Sequence, residues 1–567
     1  MDCRNKSTAV RFSFFAFVGQ CCFTRRKGQG LVAGQETERA VMDGLWRVGC
    51  HPHPNPPPSK GEGEVIETAE KISSPLDGYD VHTSRLRCDF NGDSLAYLKL
   101  RSLSDVRDRV WAGAVWRPPP CKGGAALHEA LVARPGSCIR RLGGSRAREM
   151  QFTRWLRNGS VSVEEMGGHA GAATASQATG RSVVAIQDTS ELALGGLGKR
   201  EQGYGPVCGG GAVGGVLLHP VLAVEEGTGA LLGLADLQVW NREGGAKVAP
   251  RRGRATAEKE SQRWLDGMAR AGKVLAEASE ITVVSDSESD IYELFARRPA
   301  NLHLLVRAAQ DRRIETDGQT AGTGPQSDKL FSFADALAEQ GRFSLHLPAI
   351  PGRSARQADC ALRFSPVALR KPRNGAAAEL PDRVCLTLVD IREISPVAGA
   401  KPVHWRLLTT HSVTSLEEAH RVRALYCQRW RIEEFFRTLK TAGFDIEAAE
   451  IGDPRAMINF VAAASVAAIT VMQLVQARDG TTDQSLSAAF EPEDQPVLEA
   501  LSAKLEGKTD RQKNPHPKAS LAFAAWVIAR LGGWTGYYGK PGPRVMRRGL
   551  EDFRRIKYGT KLNIHDV

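Results

Sequence analysis

Two aspartates stand directly after apolar runs, where a carboxylate can reach a reaction site. Asp188 follows SVVAIQ, and Asp286 follows ITVVS. Both runs have the composition of buried strands, and functional groups collect where strands of an open α/β sheet end at one edge. An Asp after a strand is also a common turn residue or helix N-cap, and Ser287 with Asp290 has the spacing of a capping box. Each Asp alone is therefore weak evidence for a site.

A third acidic residue, Glu433, lies in a segment that predicts one long helix from about Ser415 to Lys440. At roughly 100° per residue, Tyr426, Arg429, Glu433 and Lys440 fall within one stripe about 60° wide. The adjacent apolar face contains Leu425, Ile432, Phe435, Phe436 and Leu439. Such a stripe suits a site where the carboxylate holds a metal while Tyr, Arg and Lys bind phosphate oxygens. An amphipathic helix with an Arg–Glu ladder explains it about equally well.

The order of the predicted elements indicates how these residues are positioned. The predicted strands are 181–187, 214–226, 230–240, 281–285 and 301–307, and the predicted helices include 124–134, 145–158 and 255–277. Alternating apolar runs separated by Pro, Gly and Arg make 341–411 a β-rich block, and the sequence from 455 onward is mostly helical. This order predicts an α/β fold with a mixed sheet and helices on its faces.

The composition restricts the classes of protein. The chain has 567 residues, too many for one ordinary domain, and 42% of them are apolar, which excludes a fully disordered chain. Lys and Arg number 76 against 64 Asp and Glu, a net charge of +12 that favours an anionic partner such as nucleic acid. A basic surface without a partner explains the charge about as well. The eleven cysteines form no CxxC pair, which argues against a zinc site or disulfide framework and favours the cytoplasm.

Three stretches need separate interpretation. Residues 12–23 resemble a signal peptide in outline but lack a clean cleavage site. Residues 457–477 carry no charge and are long enough to span a bilayer, although an Ala-rich helix buried in a soluble core has the same composition. Residues 1–108 show no sustained periodicity and include the Pro/Gly-rich run HPHPNPPPSKGEGE, which is typical of a flexible extension or of mistranslated upstream sequence.

The run from Tyr426 to Lys440, YCQRWRIEEFFRTLK, resembles the Y-(2)-R-(3)-E-(6)-K signature of bacterial DDE transposases of the insertion-sequence-four family. AIQDTSEL around Asp188 and VVSDSESDIYELF around Asp286 resemble the two Asp motifs of that family. Further similar stretches are EKESQRW, HWRLLTT, WVIARLGGWTGY and MRRGLEDF. The resemblance spans about 130–557 and implies an RNase H-like fold with a β-strand insertion between the second Asp and the Glu. It also makes 457–477 a core helix, with no membrane span.

The resemblance implies a catalytic triad of Asp188, Asp286 and Glu433 that binds two Mg²⁺ ions, with Mn²⁺ as a substitute. One metal would activate a water or a 3′-hydroxyl, and the other would stabilise the leaving oxygen. The implied reactions are nicking, hairpin formation and strand transfer at transposon ends. The implied partners are terminal inverted repeats, target DNA and a second copy of the chain, in the cytoplasm.

The resemblance also implies six DNA-binding residues. Tyr426, Arg429 and Lys440 would hold phosphates near the cleaved end. Trp430 and Trp405 would stack on a displaced base, although a buried core Trp is generally the commoner case. The last of the six is Arg307, which corresponds to a family arginine near the DNA; Lys259 is a weaker candidate.

The resemblance divides the chain into six regions. These are a low-complexity extension (1–108), a truncated or degraded helical DNA-end-binding region (109–178), the first part of the RNase H-like catalytic domain (179–308), a β-rich insertion (309–412), the last part of the catalytic domain (413–480) and a helical C-terminal region (481–567).

The region before the first Asp departs from the family pattern, because Pro118 to Pro120 stand where a helix should begin. Either the recognition of transposon ends is altered, or this copy has decayed while its core survived. The sequence therefore leaves three hypotheses open: an active transposase, a DNA-binding remnant that does not transpose, and a metal-dependent nuclease of the same fold.

Overall fold

The structure is a computed structural model. It describes residues 120–194, 203–207, 213–242, 256–315, 328–347, 354–373, 377–397, 399, 401–441, 443–537 and 539–560. The expected extension at 1–108 and the apolar stretch at 12–23 lie outside the described residues.

A single mixed sheet of twelve strands organises the described residues. The strands are β1 (Ser182–Gln187), β2 (Ser190–Ala193), β3 (Gly205–Val207), β4 (Val213–Glu225), β5 (Leu231–Trp240), β6 (Glu280–Ser285), β7 (His303–Arg307), β8 (Ile314–Glu315), β9 (Gly341–Leu347), β10 (Arg356–Arg370), β11 (Arg383–Glu393) and β12 (His404–Thr409). Their order is β2-β4-β1-β6-β7-β12-β11-β10-β8, with β3 and β5 beside β4 and β9 beside β10. The mixed α/β architecture predicted from the element order is confirmed, and it is compatible with an RNase H-like domain.

Parallel pairing at the centre of the sheet sets the position of the two aspartates. Strand β1 pairs with β6 in parallel, with Gln187 opposite Ser285, and β6 pairs in parallel with β7. The next residue of β1 is Asp188 and the next residue of β6 is Asp286, so both leave the sheet at the same edge. The register therefore brings together two carboxylates that lie 98 residues apart in the chain.

The central strands are buried on both faces, which gives the protein two apolar cores. Val184 and Ile186 of β1 belong to the larger core, whereas Val183 and Ala185 belong to the smaller core. Successive side chains of a strand point to opposite faces, so the two cores lie on opposite sides of the sheet. This two-sided burial explains why β1 and β6 are almost uninterrupted apolar runs.

Helices cover both faces of the sheet. They are α1 (Pro120–Ala133), α2 (Ile139–Gly143), α3 (Arg146–Leu156), α4 (Val163–Ala178), α5 (Gln262–Val274), α6 (Tyr292–Ala296), α7 (Leu330–Ala336), α8 (Leu416–Cys427), α9 (Arg431–Lys440), α10 (Pro454–Ala477), α11 (Asp494–Leu505), α12 (Leu521–Leu531) and α13 (Pro543–Thr560). Helix α1 begins at Pro120, and proline is tolerated in the first turn of a helix, so the prolines at 118–120 do not prevent a helix here.

Helix α10 is the long apolar helix of the larger core. It is long and apolar enough to span a membrane, but 78% of its most apolar 18-residue window is buried inside the protein. Its Asn459 amide donates hydrogen bonds to the carbonyls of Leu156 (2.9 Å) and Val161 (3.3 Å), which join the α3 region to the core. The burial supports the prediction of a core helix.

The prediction of one long helix from Ser415 to Lys440 is wrong in one respect, because two separate α-helices occupy this range. Helix α8 starts at a capping box made by Ser415 and Glu418, and a 3₁₀ turn, Gln428–Trp430, separates it from α9. A 3₁₀ turn advances about 120° per residue rather than about 100°. Arg429 is therefore rotated away from the position that a continuous α-helix would give it relative to Tyr426.

The expected β-rich block forms strands β9 to β12, and these strands extend the central sheet. Strand β12 pairs with β7, with Leu407 opposite Arg307. The chain thus leaves the central strands after β7 and returns beside β7 before entering α8. The C-terminal helices α12 and α13 pack against α10 on the larger core.

A close approach between α12 and α13 can be tested at Gly549. A Cβ on Gly549 would lie 1.7 Å from the Ile528 carbonyl oxygen, whereas a Cβ on Gly559 in the same helix would meet open space. We expect Gly549→Ala to lower the free energy of unfolding by about 2 kcal/mol or more, because two backbones must separate. Gly559→Ala should be neutral or slightly stabilising. Urea unfolding of both variants measures the difference, and equal stabilities would contradict the close packing.

Candidate active site

The two aspartates hold their carboxylates in place with local backbone hydrogen bonds. The Asp188 Oδ1 accepts a hydrogen bond from the Thr189 N–H (2.7 Å), and the Asp286 Oδ1 accepts one from the Glu288 N–H (2.8 Å). Asp286 thereby caps the 3₁₀ turn Ser287–Ser289. The other oxygen of Asp188, Oδ2, faces Arg429. Asp286 thus both caps this turn and contributes a carboxylate to the site.

The proposed capping box of Ser287 with Asp290 is not formed. The buried Asp290 carboxylate pairs with Arg312, and it accepts hydrogen bonds from the N–H groups of Ala309 and Gln310, both at 2.8 Å. Asp290 therefore holds the segment after β7 against the sheet.

Arg429 joins the first aspartate to the glutamate of the helical stripe. Its Nη1 lies 3.2 Å from the Asp188 Oδ2, and its Nη2 lies 2.6 Å from the Glu433 Oε1. Glu433 is in the first turn of α9 and Arg429 is in the preceding 3₁₀ turn. The Nε of Arg429 is buried and has no hydrogen-bond partner in the described part of the chain. The structure thus places Asp188 and Glu433 on either side of one guanidinium group, with Asp286 beside Asp188.

Mutual repulsion and burial dominate the electrostatics of this cluster. Burial, followed by the negative charge of Asp286, raises the pKa of Asp188 to about 8, although Arg429 opposes the shift. Burial alone would lower the pKa of Arg429, but Tyr426, Glu433 and Asp188 together raise it above its usual range. Arg429 pairs with two of the three clustered carboxylates, Asp188 and Glu433, and carboxylate oxygens gathered in this way suit the site to a further cation.

Tyr426 lies deeper than the stripe predicts. Only 3% of it is exposed, its side chain is hydrogen-bonded to Arg307, and burial raises its pKa. Its ring centroid is 5.5 Å from that of Trp405, while Arg307 Nη2 donates to the His404 carbonyl (2.9 Å). Three of the predicted DNA-binding residues, Tyr426, Trp405 and Arg307, therefore form one cluster behind Arg429.

The remaining two predicted DNA-binding residues lie at opposite ends of α9. Trp430 is half-buried in the 3₁₀ turn, and the Arg429 guanidinium lies 5.7 Å from its ring centroid. Lys440 Nζ donates to the Glu191 carbonyl (2.7 Å) and lies 3.3 Å from the Glu447 Oε1. Lys440 therefore contacts β2, the strand that follows Asp188, rather than the three carboxylates.

Arg263 is a site residue that the sequence predictions missed. Its Nε donates to the Thr189 Oγ1 (2.6 Å), and its Nη2 lies 3.2 Å from the Glu288 Oε2. Burial lowers the pKa of Arg263, although the charges of Glu288 and Asp188 act against this. Arg263 thus connects the turns that follow both aspartates. Arg263 lies in the stretch EKESQRW, which resembles the family, but only Lys259 of that stretch was predicted as a candidate DNA-binding residue.

His219, on β4, supports the same turn from within the core. It is fully buried, its Nδ1 is 2.8 Å from the Thr189 Oγ1, and its ring packs edge-on against Trp264. Burial, followed by the charges of Arg263 and Arg270, lowers the pKa of His219 well below its usual value. A neutral His219 therefore fixes Thr189, and with it the backbone beside Asp188.

Comparison with known families agrees with this geometry. The sequence model of the family described as "Transposase DDE domain" matches residues 248–468. The matched range contains Asp286, Glu433 and all six predicted DNA-binding residues, whereas Asp188 precedes it. The match supports a DDE transposase and, with it, a transposase function.

The raised pKa of Asp188 has a consequence for stability that Asp188→Asn can test. The unfolded chain ionises Asp188 near 3.8 and the folded chain ionises it near about 8. Between these values the folded state binds more protons, so the metal-free protein loses stability as the pH rises through this window. We expect Asp188→Asn to match the wild type near pH ~4 and to exceed its free energy of unfolding by on the order of 1–3 kcal/mol near pH ~8.5.

Urea unfolding in the presence of a chelator, repeated from about pH 4 to about pH 8.5, measures this difference. Parallel profiles for the two proteins would show that Asp188 ionises normally in the folded state.

Proposed function

We propose that this protein is a DDE transposase of the insertion-sequence-four family, similar to the transposase of transposon five. Its reactions would be nicking, hairpin formation and strand transfer at the ends of an insertion sequence. One observation carries the proposal: the parallel register of β1 and β6 places Asp188 beside Asp286, and Arg429 joins Asp188 to Glu433. The family match over 248–468 supports the same class of enzyme.

The donor set fits a hard divalent cation. Carboxylate oxygens are the ligands that Mg²⁺ and Mn²⁺ prefer, and the pKa of Asp188 is raised by burial first and then by the negative charge of Asp286. Asp188, Asp286 and Glu433 would hold the metal, and Mg²⁺ bound there would supply activation of the attacking oxygen and stabilisation of the leaving oxygen.

Arg429 is suited to bind both the carboxylates and the DNA. Its two Nη atoms orient Asp188 and Glu433, and its buried Nε has no hydrogen-bond partner among the residues that the structure describes. A buried donor without a partner is unfavourable, and a phosphate oxygen would satisfy it with a charge-assisted hydrogen bond. We therefore assign to Arg429 a contact with the phosphate at the cleaved end. Lys440, at the end of α9 beside β2, would contact a phosphate further along the DNA strand.

Trp430 is the better of the two stacking candidates. It is half-buried at the surface of the 3₁₀ turn beside Arg429, whereas Trp405 packs on the buried Tyr426. A ring at the edge of the site can receive a base displaced from the DNA hairpin, because every base has a face on which an aromatic ring can stack. Trp405 would act indirectly by holding Tyr426 and Arg307.

The alternatives are a DNA-binding remnant and a nuclease of the same fold. Helices α1, α3 and α4 pack on α10, which supports an intact core on the N-terminal side of Asp188. The proposed synaptic complex is a homodimer on two transposon ends, in the cytoplasm. Incubation with terminal-repeat DNA and Mg²⁺ separates the three functions: strand joining identifies the transposase, nicking without joining identifies the nuclease, and binding without nicking identifies the remnant.

Glu433→Gln and Glu434→Gln form a matched pair for the catalytic assignment. The two glutamates are adjacent on α9 and similarly exposed, but Glu433 pairs with Arg429, whereas Glu434 lies 3.9 Å from Arg431. We expect Glu433→Gln to lower the rate of end nicking by about 10²–10³-fold or more, because a metal ligand is lost. Glu434→Gln should nick at close to the wild-type rate.

Both variants should bind terminal-repeat DNA as the wild type does in a gel-shift assay with Ca²⁺. Equal loss of nicking in the two variants would remove Glu433 from the catalytic set.

Trp430→Ala tests the stacking role. Loss of one base-stacking platform costs roughly 1–3 kcal/mol, so hairpin formation should slow by roughly 5- to 150-fold. The first nick should be nearly unaffected, because it precedes base displacement. Trp430→Phe retains an aromatic face and should recover most of the hairpin rate. Gel analysis of nicked and hairpin products measures both steps, and an equal decline of both would contradict the assignment.

A further inference from the structure

A second group of metal-ligand side chains lies at the opposite edge of the central sheet. Glu280 is the first residue of β6 and His303 is the first residue of β7, while His411 follows β12. Asp286 comes after the last residue of β6, so the two groups are separated by the length of a six-residue strand, about 20 Å. The second group is therefore independent of the carboxylate cluster.

The donor atoms of this group face one another. The Glu280 Oε1 lies 3.9 Å from the His303 Nε2 and 4.0 Å from the His411 Nδ1. The two imidazole rings are stacked, with centroids 3.9 Å apart and planes 14° from parallel. Among the described residues, this is the set of His, Cys, Asp and Glu side chains whose donor atoms all lie within 4.8 Å of one another.

The other polar atom of each side chain is held by a neighbour. Thr410 Oγ1 lies 3.3 Å from the His303 Nδ1, and Thr282 Oγ1 lies 2.8 Å from the His411 Nε2. The Glu280 Oε2 is paired with Arg421. Outer contacts of this kind orient the ligands of protein metal sites, because they fix the ring and the tautomer that presents its lone pair.

An ordinary His–Glu ion pair explains the group less well. Arg421 already compensates the charge of Glu280, and burial lowers the pKa of both histidines, of His411 to about 4. Two neutral imidazoles then each carry an in-plane lone pair close to the Glu280 carboxylate, and rotation of one stacked ring would turn both lone pairs toward a shared ion. Neutral imidazole is also the form that binds metals.

We propose that Glu280, His303 and His411 bind one divalent transition-metal ion of the Zn²⁺ class. Zinc–ligand bonds of about 2.0–2.1 Å in a tetrahedron place donor atoms about 3.3–3.4 Å apart. The observed 3.9 and 4.0 Å separations between carboxylate and imidazole need to shorten by about 0.6 Å. One imidazole must also rotate out of the stack so that both nitrogens face the ion, and water would be the fourth ligand. Two nitrogens and one oxygen favour Zn²⁺ over Mg²⁺, which prefers oxygen ligands alone.

The position of the site indicates a structural role. The three ligands join β6, β7 and the segment after β12, so the metal would hold together both ends of the β-rich insertion. Arg421, which contacts the Glu280 carboxylate, belongs to α8, the helix that leads to Tyr426 and Arg429. Binding of Zn²⁺ would therefore stabilise the frame that carries the carboxylate cluster. This inference does not depend on the proposed transposase reaction.

Metal binding to the full chain tests the proposal. After removal of metals by a chelator, titration calorimetry with Zn²⁺ in excess Mg²⁺ should show one more binding site in the wild type than in His303→Gln. Where the site is weakened rather than lost, its affinity should fall by at least about tenfold, since even outer contacts of metal sites change affinity by 10–100-fold. Zn²⁺ should also raise the unfolding midpoint of the wild type more than that of the variant.

His420→Gln is the matched control, because His420 is on α8 and packs against Phe343 outside the cluster. It should bind Zn²⁺ as the wild type does, and so should Glu433→Gln, which alters the carboxylate cluster alone. His303 is partly exposed, so His303→Gln is expected to fold, and its unfolding in chelator verifies this. Equal Zn²⁺ stoichiometry and affinity in the wild type and His303→Gln would overturn the proposal.

Discussion

The convergence of like charges in a partly buried place is the constraint on which this structure depends. Three carboxylates meet at one edge of the sheet, where burial and mutual repulsion raise the pKa of Asp188 to about 8. A scaffold can hold such groups together only if the rest of the fold is stable enough to offset the free-energy cost of burying these carboxylates side by side. Two apolar cores on either face of β1 and β6 supply that stability, and Arg429 supplies part of the missing positive charge.

Different elements of the fold position the three acidic residues, and each element does so through different contacts. Asp188 and Asp286 are positioned by strand register and by their own hydrogen bonds to the backbone. Glu433 is positioned by α9 and pairs with Arg429, a residue of a short 3₁₀ turn between two helices. The sheet therefore positions the aspartates, whereas a turn and a helix position the arginine and the glutamate.

The sequence predicts what depends on local pattern and misses what depends on distant contacts. Apolar runs before Asp188 and Asp286 predict the strands and the shared edge, and the helical stripe places Arg429 and Glu433 together. The break after Cys427 escaped prediction because a 3₁₀ turn of three residues is too short to alter the apolar pattern of the helices on either side of it. Arg263 reaches Thr189 across 74 positions of the chain, and no local pattern reports such a contact. Glu280 and His411 are likewise far apart in the chain, so no local pattern predicts that they lie close together.

The pairing of β12 with β7 means that the chain enters and leaves the β-rich block between them through adjacent strands. A segment inserted between neighbouring anchor points can gain or lose strands at its far end without displacing either anchor. Selection can therefore alter the size and surface of the outer strands β8 to β11 while α8 and Glu433 keep their place. Changes in these outer strands would therefore leave the sheet edge that carries Asp188 and Asp286 in place.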